Sequence, residues 1–142
     1  QNVRLVEIQR SRGYSHRLSL TIAKIKRIIQ KIREVNQDVI IMVDNCYGEL
    51  VEKLEPGHVG ADIVVGSLMK NLGGGIASTG GYVAGKTELI KMVAERLTAP
   101  GIGKSLGANF NLNIYLQHCS MLSNFIIATS PRNDLTKHRL QQ

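Results

Sequence analysis

The sequence has no tryptophan, and its four tyrosines and two phenylalanines make up only 4% of the chain. Single-strand nucleic-acid binders stack bases on aromatic rings, so this scarcity argues against that class. Cysteine is also sparse: Cys46 and Cys119 cannot build a disulfide framework, and a reducing, cytoplasmic setting is the expectation. Long apolar runs are missing too. The run FIIA at 125–128 is far too short to span a bilayer, so no membrane partner is expected. The chain opens on Gln1 without a charged-then-apolar leader and enters VRLVEI almost at once. So abrupt a start suggests a piece of a longer protein.

Acid is absent from one long stretch. Between Arg10 and Arg33 lie eight Lys/Arg residues and no Asp or Glu, within a chain of net charge +7. Such a block could serve a basic module that binds nucleic acid. Beneath the charges, however, Ile22, Ile25, Ile28, Ile29, Ile32 and Val35 recur at helical spacing, which describes a solvated helix with one apolar face.

What is present is a core. The chain has 142 residues, 43% of them hydrophobic, enough for one domain with a buried interior. Residues 3–8 read as a strand and 10–15 as a loop. Ser19 or Thr21 can cap a helix running to about Asn36. VIIMVD at 39–44 is a continuous apolar run closed by an acid, as in a central parallel strand buried on both faces. GELVEKL reads as a short helix and EPGHVG as a turn. ADIVVGS at 61–67 is a further buried strand, STGGYVAGK at 78–86 a glycine-broken one, and TELIKMVAERL at 87–97 a helix. The alternation predicts an α/β sheet, mostly parallel and flanked by helices, with its ligand end at the strands' C-termini.

Two motifs fail on context. GGYVAGKT, Gly80 to Thr87, spells a Walker-type phosphate loop, but GGGIAST precedes it where an apolar strand is required. GIGKS at 101–105 echoes the pattern with Thr98 in place of the needed glycine. Cys46, His58, His118 and Cys119 lack the paired spacing of zinc ligands, so no metal is expected.

A third constellation survives: Asp44, Tyr47, Ser67 and Lys70, each at or just past the C-terminal end of an apolar strand. An acid there can pair with a protonated ring nitrogen. A lysine held in an apolar site loses its proton cheaply and can form an imine. Those are the two groups a pyridoxal phosphate enzyme requires, and they suggest pyridoxal 5'-phosphate as cofactor. Tyr47 can reach the ring's phenolic oxygen, and Ser67 can donate to the phosphate. Each residue also has a plainer use, since such an Asp caps the following turn and such a Ser bonds backbone.

The run VDNCYGELVEKLEPGHVGADIVVGSLMKNLGGGIASTGGYVAGK resembles the pyridoxal phosphate-dependent family termed methionine gamma-lyase-like, or aluminium-resistance proteins. That family is related to the Cys/Met-metabolism enzymes of fold type I. With IQRSRGYS and RLTAPGIGKSLGA, the likeness extends from about Val3 to Ala108. It implies Lys70 as the catalytic Schiff-base lysine, Asp44 as the pyridinium partner and Ser67 as a phosphate ligand. Tyr47 matches an Asp-x-x-Tyr arrangement and would join Lys70 in catalysis. It further implies that TGGYVAG is an antiparallel strand, and that residues 1–108 are the central part of a cofactor-binding large domain. Residues 109–142 then form a divergent helical or irregular tail. The implied activity is carbon–sulfur bond cleavage in a sulfur amino acid, by a chain that is a homo-oligomer in its full-length form. Met69 departs from the pattern, standing where transsulfuration enzymes carry a second hydroxyl donor. The family's phosphate-binding helix and its carboxylate-binding arginine have no counterpart in this sequence, so a non-catalytic remnant is the alternative expectation.

Overall fold

The computed structural model describes residues 3–72 and 80–97. Strand β1, Leu5–Gln9, leads through a loop to helix α1, Ile22–Val35. Thr21 starts the helix: its backbone is extended and its Oγ1 accepts a hydrogen bond from the Lys24 N–H at 3.3 Å. Asn36 ends it by returning to extended backbone, with its N–H on the Ile32 carbonyl. The isoleucine spacing then puts Ile22, Ile25 and Ile29 on one buried face. That face packs with Ile8, Ile41, Val43 and Val64 of the sheet. Ile25, Ile41 and Val43 are fully buried, each stabilising the fold by about 1.5–3 kcal/mol.

Strands β2, Ile40–Asp44, β3, Ile63–Ser67, and β4, Gly81–Gly85, complete a four-stranded sheet in the order β1-β2-β3-β4. β1 pairs β2 in parallel with Gln9 opposite Asp44, and β2 pairs β3 in parallel with Asp44 opposite Val65. β4 runs antiparallel to β3, with Gly81 opposite Ser67. It leads into helix α2, Thr87–Leu97. The mostly parallel α/β expectation holds, as does the antiparallel strand implied by the resemblance. GGYVAGKT is therefore a strand and a helix start, not an amide-lined phosphate loop.

Two expectations change. Burial in β2 alternates: Ile41 and Val43 are covered by α1, while Ile40, Met42 and Asp44 on the other face are half-buried among the described residues. GELVEKL is not a helix. Tyr47 and Leu50 adopt φ of 65° and 63°, the left-handed region, which no helix tolerates. The segment is held instead by side chains, and a single 3-10 turn follows at Pro56–Val59.

At the N-terminal ends of the strands, Asp62 forms a buried clamp. Its Oδ2 accepts from the Ile41 N–H at 2.8 Å and pairs with Arg33, while Oδ1 meets Lys86 Nζ at 2.7 Å as an ion pair. Burial alone would raise the Asp62 pKa. Lys86, the Ile41 amide and Arg33 outweigh it and hold the carboxyl below its usual range. Among the described residues no helix is long and apolar enough to cross a membrane. The glycines at 73–75, residues 78–79 at the start of the expected STGGYVAGK strand, GIGKS, His118, Cys119 and the tail 109–142 lie outside the described residues.

Candidate active site

The parallel register sets the site. Asp44 ends β2 and Ser67 ends β3, so both face the same end of the sheet, and Lys70 follows Ser67 within one turn. The chain doubles back after Asp44 because Asp44 Oδ1 accepts from the Cys46 N–H at 2.9 Å. This turn presents Cys46 and Tyr47 toward β3. Lys70 Nζ lies 4.4 Å from the centroid of the Tyr47 ring. At this distance an ammonium is attracted to the ring face. The neighbouring Cys46 and the Asp44 carboxylate both strengthen the hold of Lys70 on its proton. Asp44, Tyr47 and Lys70 thus come together. Ser67 lies on the same strand end, with Oγ accepting from the Met69 N–H at 3.2 Å. Its O–H remains able to donate.

Both plainer uses of Asp44 and Ser67 are therefore realised, and neither exhausts the side chain. The lysine, however, corrects an expectation. Burial lowers the Lys70 pKa, but its interactions with Cys46, Tyr47 and Asp44 outweigh it, and the net shift is upward. In this state Lys70 does not lose its proton cheaply. For Cys46, burial and Asp44 raise the thiol pKa against the opposing pull of Lys70, so at neutral pH the sulfur keeps its proton.

Beneath the site runs a buried polar network that sequence reasoning missed. Arg10, 3% exposed, donates to Asn45 Oδ1 and the Gly48 carbonyl at 2.7 Å each and to Glu52 Oε1 at 2.8 Å. Glu52 Oε1 also accepts from the Ile22 N–H, where the positive end of α1 favours an acid. Asn45 Nδ2 donates to Glu55 Oε2 at 2.9 Å and to the Tyr82 hydroxyl at 3.2 Å. Tyr82 in turn donates to Glu49 Oε1. Burial pushes the Tyr82 phenol well above its ordinary pKa, so it stays a donor. A Cβ at Gly48 would overlap the Arg10 side chain, which explains the glycine. One signal in the sequence points to the Arg10–Asn45 contact: both residues stand one place beyond the C-terminal ends of adjacent parallel strands. Arg10 and Arg33 are accordingly paired with carboxylates, although both fall in the basic block.

An open apolar groove of about 570 Å³ runs along α1, lined by Val3, Val6, Ile28, Ile32, Val35 and others. None of its lining residues belongs to the group around Lys70.

The family model for methionine gamma-lyase matches residues 1–136. The chain belongs to the methionine gamma-lyase family. The match runs past Ala108, where the likeness read from the sequence stops. Among relatives of this methionine gamma-lyase family chain, the uncharacterized protein YnbB of Bacillus subtilis is 53% identical over 106 residues, 75% of this chain and 25% of its own length. A methionine gamma-lyase of Arabidopsis thaliana is 36% identical over 73 residues, 51% of this chain and 16% of its own. A solved structure from Clostridium acetobutylicum, described as a candidate cystathionine beta-lyase involved in aluminium resistance, superposes with a TM-score of 0.76. It is 56% identical, with 81% of this chain and 27% of that chain covered. The chain thus spans about a quarter of the length of the first relatives it matches.

Proposed function

We propose that this chain carries the cofactor-binding centre of a pyridoxal phosphate-dependent carbon–sulfur lyase acting on a sulfur amino acid. Membership of the methionine gamma-lyase family supports the reading. The observation that carries it is the meeting of Lys70 and Asp44 at the Cys46–Tyr47 turn, from adjacent strand ends. An amine, a carboxylate and a free hydroxyl proton gathered at one end of a parallel sheet suit an aldehyde, a ring nitrogen and a phosphate.

In this reading Lys70 binds the cofactor covalently through Nζ and, when free, moves the proton at the substrate's Cα. Asp44 keeps a proton on the ring nitrogen, Ser67 donates to the phosphate, and Tyr47 orients the ring. The cofactor, when bound, supplies the electron sink for the pair released at Cα. The raised Lys70 pKa suits the resting amine. With no cofactor bound, Lys70 stays protonated beside Asp44 and the Cys46–Tyr47 turn. Assembly as a homo-oligomer and a cytoplasmic setting belong to the same proposal.

The test mixes the chain with millimolar pyridoxal phosphate, reduces with borohydride and maps the modified lysine by mass spectrometry. Modification concentrated on Lys70, and lowered by Asp44→Asn, is the expected result. Modification spread evenly over surface lysines would overturn the reading.

A further inference from the structure

Glu49 is 1% exposed, an uncommon fate for an acid, and nothing in the proposed chemistry uses it. Its surroundings say what it does. Its Oε1 accepts from the Ser67 N–H at 3.4 Å and from the Tyr82 hydroxyl at 3.3 Å. Its backbone carbonyl accepts from Asn71 Nδ2 at 3.2 Å. Ser67 lies three positions before Lys70 and Asn71 one after it, so one residue grips the lysine turn on both flanks. The fold makes room for this. A Cβ at Gly66 would overlap Glu49 Oε1 and the Tyr82 ring, and a glycine stands there. Glu49 Oε2 is buried without a hydrogen-bond partner among the described residues, an uncommon and costly state for a carboxylate oxygen.

We infer that Glu49 is a positioning residue for Lys70, fixing the Ser67–Asn71 turn so that the amine stays on the Asp44–Cys46–Tyr47 side of the site. The inference deepens the proposed function and rests on it for its meaning, but its geometry is independent of any cofactor. Its consequence concerns the free amine. Among the described residues, Asp44, Cys46 and Tyr47 face Lys70 and hold its proton. A loosened turn lets the ammonium leave them for water, and its titration moves down toward that of an ordinary lysine.

The test is competitive acetylation of the cofactor-free 142-residue chain across pH, with the Lys70 midpoint read by peptide mass spectrometry. Glu49→Ala is expected to lower that midpoint toward the value of an ordinary exposed lysine in the same chain. Glu49→Gln keeps an acceptor oxygen but removes the charge, and is expected to restore the wild-type midpoint. An unmoved midpoint in a folded Glu49→Ala chain overturns the inference, as does a Gln variant that behaves like Ala. Should Glu49→Ala fail to fold, Asn71→Ala decides, since Asn71 is exposed and its loss removes one of the two flanking ties. A lowered midpoint supports the inference and an unmoved one overturns it. Borohydride trapping with pyridoxal phosphate runs alongside. No Lys70 adduct in the wild type, together with a midpoint that follows Glu49, sinks the functional reading and sustains the positioning role. The opposite pattern does the reverse.

Discussion

The Lys70 ammonium stands 4.4 Å from the centre of the Tyr47 ring, and Tyr47 reaches that place only with a backbone φ of 65°. A non-glycine residue in the left-handed region is held there at a cost of about 1–2 kcal/mol. Strain of this kind persists only where the surroundings enforce it. Here the Asp44 carboxylate on the Cys46 amide and the Gly48 amide on the Asn45 carbonyl fold the turn.

Tyr47 is therefore expected to separate stability from cofactor capture. Tyr47→Ala and Tyr47→Gly both lose the ring, but only glycine is at ease at positive φ. Urea unfolding should find Tyr47→Gly more stable than Tyr47→Ala by about 1 kcal/mol. Trapping of pyridoxal phosphate on Lys70 should fall in both. Equal stabilities would mean that the turn relaxes in solution.

The acid clamp makes a pH prediction. The Asp62 pKa is depressed in the folded chain, so its stabilisation is present in full above the ordinary carboxylate value of about 3.9 and is lost as pH falls through the lower folded value. Asp62→Asn should cost about 2–3 kcal/mol at pH 7, the lower end for a buried pair because Lys86 is half-exposed. The gap between wild type and variant should narrow only as pH falls through the depressed folded value. Unfolding free energies measured across that range check it, and a gap independent of pH would count against the ion pairs.

Tyr82→Phe removes a hydroxyl that accepts from Asn45 and donates to Glu49. Both partners are buried, so the variant should lose about 1–3 kcal/mol, because one Asn45 N–H loses its acceptor and Glu49 Oε1 keeps only the long bond from the Ser67 amide. Thermal or denaturant midpoints give the answer. A neutral substitution would show that water replaces the hydroxyl.

Much of this was legible in the residues. The isoleucine spacing of α1, its Thr21 cap and the apolar runs of β2 and β3 are local signals, and the structure follows them. The grouping of Asp44, Tyr47 and Lys70 was legible as well, because a strand's C-terminal end is a position that topology fixes. GELVEKL misled because its helical composition is overruled by tertiary contacts: Glu49 turns inward to Ser67 and Tyr82, and the Leu50 N–H is taken by Glu55 at 3.0 Å. Arg10 misled for a related reason. Its charge looked like surface until the Asn45, Glu52 and Glu55 side chains, some 35–45 positions away, closed around it. Long-range polar pairing leaves no periodic trace in a sequence.

Cys46 offers the most direct check on whether Asp44 and Lys70 share one site, since its thiol feels both. Burial and the Asp44 carboxylate raise its pKa and Lys70 lowers it. Alkylation proceeds through the thiolate, so Cys46 in the wild type should react with iodoacetamide more slowly at pH 8 than a free cysteine. Asp44→Asn removes a raising influence and should speed the reaction. Lys70→Ala removes the lowering one and should slow it further. Peptide mapping separates Cys46 from Cys119. Opposite responses to the two substitutions require both groups to lie against the same sulfur. If neither substitution changes the rate, the amine and the carboxylate are too far apart to hold one cofactor between them.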